Sequence, residues 1–158
     1  MKTLKLKPWY LLLCFTMLIC SVACSKSDDS NSDESAYINT QIFNEINAHR
    51  KSLDKKAFAS STLANTMADE HSAYMAAQGK LSYDDSIKRA GELIAQENAK
   101  SMTESVANKY SSAETLIEAL LNDAAHRKNI EDDFTHIGIG VNKDANGVAY
   151  YSLIFFKK

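Results

Sequence analysis

The sequence predicts an α+β fold in which a small antiparallel sheet lies between helices. Four segments between Ile38 and Ala125 place apolar residues mostly at three- and four-residue spacing, the period of helices that bury one face. From Ile137 the period drops to two, as Ile137, Ile139 and Val141 alternate with Gly138 and Gly140. The last segment, Val148 to Phe156, is almost unbroken in its apolar character, which suits a strand covered on both faces and so calls for helices on each side of the sheet.

Taken in order, the chain opens with Lys2, Lys5 and Lys7, an apolar run from Trp9 to Ala23, and Cys24. That order predicts a lipoprotein signal over residues 1–23 that ends at a lipidated cysteine, Cys24. The run is shorter than the roughly 20 residues of a spanning helix, so it reads as a cleaved signal; ordinary signal cleavage near Ala23 is the alternative. Residues 25–35 (SKSDDSNSDES) carry no apolar side chain, and with Cys24 they are expected to form a flexible tether over 24–35. A serine-aspartate run after such a cysteine resembles the signals that send lipoproteins of Bacteroidetes-type bacteria to the cell surface, and it serves equally as a solvated spacer.

One domain is expected over 36–158. Ile38, Ile42, Phe43, Ile46 and Leu53 mark a first amphipathic helix. Ser60, Ser61 or Thr62 can cap a second, whose stripe is Leu63, Met67, His71, Tyr74 and Met75 and which Gly79 stops. Ile87, Ala90, Leu93 and Ile94 suggest a third helix. Ala113 to Ala125 suggests a fourth, with Leu116, Ile117, Leu120, Leu121 and Ala124 on one face. Asp144-Ala145-Asn146-Gly147 supplies the turn between the two final strands.

Composition narrows the function classes. Cys14 and Cys20 belong to the signal and Cys24 to the anchor, so the domain holds neither a disulfide framework nor a thiolate metal site. A domain of about 120 residues can stand on its apolar core alone. Without the three signal lysines, 15 basic residues face 20 acidic ones, a formal charge of −5 that disfavours a nucleic-acid partner. The chain has no Gly-x-Ser-x-Gly elbow, no phosphate loop and no cysteine nucleophile.

A longer pattern runs from Glu104 through ESVANKYSSAETLIEALLNDAAHRKNI into FTHIGIGV. Glu104, Val106, Ala107, Ser112, Ala113, Glu114, Leu121, Asn122 and the block His126-Arg127-Lys128-Asn129-Ile130 fall in register with the bacterial branch of the CAP superfamily, the cysteine-rich secretory, antigen 5 and pathogenesis-related proteins, which this chain therefore resembles. Asn47-Ala48-His49-Arg50 is similar to that family's Asn-x-x-Arg helix end, and EHSAYMAAQGKLSYDD to its helix ending in Gly-Lys-Leu-Ser-His. The resemblance implies a three-layer α-β-α sandwich. It also implies a cleft lined by two histidines and one or two acidic residues that can hold a divalent metal.

Here the chain departs from the family pattern. Tyr83 stands where the first cleft histidine would be, Thr103 and Ser105 replace the Gly and Asn that flank the cleft glutamate, and Asp123 and Ala124 replace a Ser-Pro before His126. The cleft is therefore expected around Tyr83, Glu104, Asp123 and His126. Read without the resemblance, Glu104 is equally a surface carboxylate and His126 equally a partner of carbonyls at a helix end. Asp123, three residues before His126, could share its helix face as a third ligand or be an ordinary solvated residue. Asp84 and Asp85 could swing toward the cleft or cap a helix. His71, His49 and His136 read as core or boundary histidines.

A phenol with a pKa near 10 is a poor zinc ligand at neutral pH, and catalytic zinc needs three good ligands plus water. No cofactor is expected beyond a weakly held divalent metal, for which Glu104, Asp123 and His126 are the candidates, and Tyr83→His is expected to raise zinc affinity if the cleft geometry of the family is intact. The leading expectation is a lipid-anchored cell-envelope binding module, an outer-membrane lipoprotein facing outward or into the periplasm, that takes a lipid, glycan or protein ligand. The alternatives are a hydrolase using His126 and Glu104, directly or through a metal, and a purely structural or adhesive envelope protein.

Overall fold

The computed structural model describes residues 27–158. The expected signal and Cys24 lie outside the described residues. Five helices and four strands follow in the order α1 (Ser27–Ser52), β1 (Ala59–Ser60), α2 (Thr62–Gln78), α3 (Ser86–Glu97), β2 (Ser101–Asn108), α4 (Ala113–Asn122), α5 (Ala124–Glu131), β3 (His136–Lys143) and β4 (Ala149–Lys157). The sheet order is β1-β3-β4-β2. Its three long strands are antiparallel, as expected, and the two-residue β1 adds a parallel pairing on β3 at one edge.

Strand alternation divides the core between the two sheet faces. Ile137, Ile139 and Val141 of β3 and Tyr151, Leu153 and Phe155 of β4 pack with Ile42 and Ile46 of α1, Leu116, Ile117 and Leu120 of α4, and Ile130 of α5. The opposite face sets Ile154 and Phe156 against Ala64, Met67 and Ala68 of α2 and Leu93 of α3, with Tyr150 and Val106 against Met75. Helices thus cover both faces, which explains why β4 is buried from Ala149 to Phe156.

The alternating glycines of β3 set the distance of α2 from the sheet. A Cβ on Gly138 would lie 2.1 Å from the carbonyl carbon of Ala64, and one on Gly140 would lie 2.3 Å from that of Ala68. The helix backbone rests where those side chains would be. Ser61 caps α2 by accepting from the Ala64 N–H, and Gly79, at φ 65°, closes it in the left-handed conformation. The Asp144 carboxylate accepts from the N–H groups of Asn146 and Val148 at 2.9 and 2.8 Å, and Gly147 takes φ 79°, which builds the predicted turn.

Asn47 and Arg50 anchor the end of α1. Asn47 exchanges two hydrogen bonds with the backbone of Phe58, at 2.8 and 3.3 Å. The buried Arg50 donates to the carbonyls of Lys56, Ile130 and Asp132 at 2.7 to 2.9 Å and lies 3.8 Å over the Phe58 ring.

Four expectations change. Helix α1 begins at Ser27, so residues 27–35 are helical where composition predicted an open tether, and Glu34 pairs with Lys143 of β3 at 2.7 Å. Leu53 lies beyond α1 and is exposed. The buried face of α3 is Arg89 and Leu93, while Ile87, 90 % exposed, and Ile94 face outward. The predicted fourth helix is two, because the extended backbone of Asp123 ends α4 and starts α5; Ala124 is exposed in consequence.

Candidate functional site

Among the described residues, strand β2 lies at a free edge of the sheet and pairs with β4 alone, and both of its faces carry residues of interest. Consecutive side chains on a strand point to opposite faces, so Glu104 and Ser105 look in opposite directions. Glu104 turns toward α3, where Arg89 binds its two carboxylate oxygens through Nε at 2.6 Å and Nη2 at 3.0 Å. The Glu104 side chain is only 1 % exposed. A carboxylate buried this deeply requires a partner, and the planar guanidinium supplies two parallel donors.

Ser105 turns toward α5. Its hydroxyl lies 3.0 Å from Nδ1 of His126 and 3.1 Å from the side-chain amide of Asn129. That amide also donates to the Glu104 carbonyl at 3.2 Å, and the Asn129 oxygen accepts from the Thr103 hydroxyl at 3.3 Å. Thr103 and Ser105, the two departures flanking Glu104, are therefore joined to the histidine block by one hydrogen-bonded network. Glu104 and His126 flank the same edge strand from opposite faces and do not form a direct acid–base pair.

Asp123 is the N-cap of α5. One carboxylate oxygen accepts from the backbone N–H groups of Ala125 and His126 at 2.9 and 3.0 Å, so of the two readings left open Asp123 takes that of an exposed residue at a helix end and does not share a helix face with His126. Those N–H donors, that of His126 first, hold the Asp123 carboxyl below the usual carboxylate range. Tyr83, 52 % exposed, lies in the loop between α2 and α3. Its phenol is pushed up first by desolvation and further by the charges of Glu104 and Asp123, against an opposing backbone contact with Val106. The structure thus gathers Tyr83, Glu104, Asp123 and His126 around the free edge of β2, with Glu104 sealed within.

The remaining candidates stand elsewhere. The buried His71 donates from Nε2 to the Ser82 carbonyl at 2.8 Å and stacks on Tyr74. Burial, followed by the Arg89 charge, lowers its pKa against the opposing pull of Glu104 and Asp84. Asp84 accepts from the Tyr74 hydroxyl at 2.8 Å. Asp85 occupies the N-cap position of α3 at φ 59° without a capping bond, so neither aspartate plays the capping role expected of the pair. His49 pairs with Glu131 at 2.9 Å, and His136 stacks on Phe156.

These donors do not fit a divalent metal. Both oxygens of Glu104 are engaged by a resident cation, one Asp123 oxygen caps a helix, and the Tyr83 phenol is driven further toward its protonated form. Among the described residues no three His, Cys, Asp or Glu side chains are grouped to hold a metal ion. Sequence reading missed Arg89 altogether. Its signal was the four-residue step to Leu93, which places the two on one face, together with the cation that a buried glutamate demands.

A family model described as the cysteine-rich secretory protein family, CAP, matches residues 43–155. A search of curated proteins returns no match. Among solved structures, an extracellular protein containing an SCP domain from Bacillus anthracis aligns with a TM-score of 0.73 and 23 % identity over 84 % of this chain and 44 % of its own. An outer surface protein of Borrelia burgdorferi aligns at 0.68 and 16 % identity, over 75 % of this chain and 91 % of its own. A cysteine-rich secretory protein of Staphylococcus aureus aligns at 0.67 and 21 % identity, over 80 % of this chain and 40 % of its own. This chain spans less than half the length of the first and the third.

Proposed function

This chain belongs to the cysteine-rich secretory protein family, and from that premise we propose that it is a lipid-anchored binding module of the cell envelope, not a metal-dependent hydrolase. The observation that carries the reading is the closed Arg89–Glu104 pair. A general base or a metal ligand must offer a free oxygen to water or to the ion, and Glu104 offers neither. What remains open at the free edge of β2 is a recognition surface of Tyr83, Asp123 and His126, suited to a lipid, glycan or protein ligand.

Placement at the envelope is supported by the lysines, apolar run and Cys24 of the amino terminus, and by two structural relatives that are described as an extracellular and an outer surface protein. A diacylglycerol on Cys24 contributes two chains, where one acyl chain gives only marginal membrane binding. Fractionation of wild type and Cys24→Ala tests the anchor, with the variant expected to leave the membrane fraction or to remain unprocessed. Recovery of mature-size variant with membranes overturns it. Turnover of peptide or ester substrates that His126→Ala abolishes would replace the binding module with the hydrolase.

A further inference from the structure

We propose that Ser105 and Asn129 lock the neutral His126 ring with its proton on Nε2, so that the free edge of β2 presents an N–H donor for a ligand's neutral carbonyl oxygen. The inference deepens the binding-module reading and rests on it for the ligand alone; the lock is a property of the unliganded chain.

The Glu104 carbonyl oxygen can only accept, so the Asn129 atom 3.2 Å from it is the amide nitrogen and not the amide oxygen. The same nitrogen lies 3.1 Å from the Ser105 hydroxyl oxygen and gives it the second proton. The other end of the amide agrees, since its oxygen receives the Thr103 hydroxyl at 3.3 Å. Ser105 has therefore already accepted one bond and holds one proton to give away.

Ser105 is fully buried, and its only other side-chain hydrogen-bond partner among the described residues is Nδ1 of His126 at 3.0 Å. A hydroxyl proton left without an acceptor in such a place would cost the desolvation penalty of an unmade bond. The arrangement that satisfies every group has Ser105 O–H donating to a lone pair on Nδ1. In a neutral imidazole the ring proton is then on Nε2. A donor seeks an acceptor, and the kind of acceptor follows from the charges nearby. Asp123 caps the helix that carries His126, and its carboxylate already supplies the negative charge which that helix end favours, so a neutral carbonyl oxygen is the acceptor left for Nε2.

Ser105 and Asn129 are positioning residues, and NMR of the full mature chain reads their effect without any ligand. Long-range proton–nitrogen correlation of labelled histidine at pH 8.5, above the ordinary imidazole pKa of about 6.5, distinguishes the tautomers. Wild type is expected to show a protonated Nε2 and a lone-pair Nδ1 at His126. Ser105→Ala is expected to admit the Nδ1–H form, and Ser105→Thr, which keeps the hydroxyl, to restore the wild-type pattern. Wild-type His126 protonated on Nδ1, or a Ser105→Ala spectrum identical to wild type, overturns the lock; if Ser105→Ala does not fold, the wild-type spectrum decides. N-acetylglycine N-methylamide, a neutral carbonyl probe, is expected to move the Nε2 resonance. No movement removes the donor role, and movement by sodium acetate in its place overturns the assignment of a neutral acceptor. Failure of the binding-module reading alone would leave the tautomer unchanged.

Discussion

Arg89 grips Glu104 through both carboxylate oxygens, at 2.6 and 3.0 Å, and the two side chains bury one another between α3 and β2. Position 104 is where family resemblance places a cleft carboxylate. In this chain its charge is neutralised from within. The pair also holds α3 to the sheet, since the helix buries only Arg89 and Leu93.

Removing one member of this pair should be far worse than removing both. Arg89→Met leaves an uncompensated buried carboxylate, for which about 3–5 kcal/mol is the usual cost. The double variant Arg89→Met, Glu104→Leu leaves no buried charge and should recover most of that loss. Urea unfolding of the two single variants and the double variant measures the coupling; additive losses would mean that the two residues act independently.

The glycines make a paired prediction with opposite signs. Gly138→Ala drives a methyl group into the backbone of Ala64, which cannot give way without moving α2, and should destabilise by about 1–3 kcal/mol or more. Gly91 lies in the interior of α3 with nothing within 4 Å of where a methyl group would stand, and Gly91→Ala should stabilise by roughly 0.5–1 kcal/mol through helix propensity. Thermal unfolding midpoints that move in the same direction for both would contradict this packing.

Local chemistry was legible in the sequence where a few consecutive residues decide the outcome. Ser61 and Gly79 bound α2, Asp144 to Gly147 turn the final hairpin, and the two-residue period of β3 separates its Ile137, Ile139 and Val141 side chains from the glycines that face α2. Features set by distant partners were not legible. Apolarity chose Ile87 and Ile94 for the inner face of α3, yet that face is fixed by Glu104, fifteen residues past Arg89 in the chain. The break at Asp123 was hidden because its flanks, Leu120 and Leu121 before it and Ala124 and Ala125 after it, continue a helical pattern that the capping carboxylate interrupts. At the site, the four residues that the resemblance singles out stand around one edge strand. Their orientation depended on strand alternation, which sends Glu104 and Ser105 to opposite faces.

Acid should weaken the fold through His71 before the carboxylates are reached. In the unfolded chain this imidazole takes up a proton near pH 6.5, while in the folded protein burial and Arg89 hold its pKa lower. The contribution is therefore fully present above about pH 6.5 and is lost as the pH falls toward the folded value. His136 is shifted the same way, first by burial and then by Lys158, and adds to the slope. His71→Gln keeps a donor for the Ser82 carbonyl but does not titrate. Its urea midpoint should fall less than that of wild type between pH 7.5 and 5.5, and equal slopes would exclude His71 as a contributor.

Tyr83→His should not be sufficient to create a zinc site, although it restores a second histidine to the edge of β2. Zinc requires about three protein ligands with free lone pairs converging on one point. In the variant, Glu104 would still be bound on both oxygens by Arg89, and His126 would still approach β2 from the other face. Calorimetry at one fixed pH is expected to show neither wild type nor Tyr83→His binding zinc more tightly than about 1 μM. Adding Arg89→Ala frees the carboxylate, so any gain in zinc affinity should appear in the Tyr83→His, Arg89→Ala double variant and not in Tyr83→His alone. Submicromolar binding by Tyr83→His alone, lost again with His126→Ala, would show that Glu104 can leave Arg89 for a metal and that the closed pair is no barrier to one.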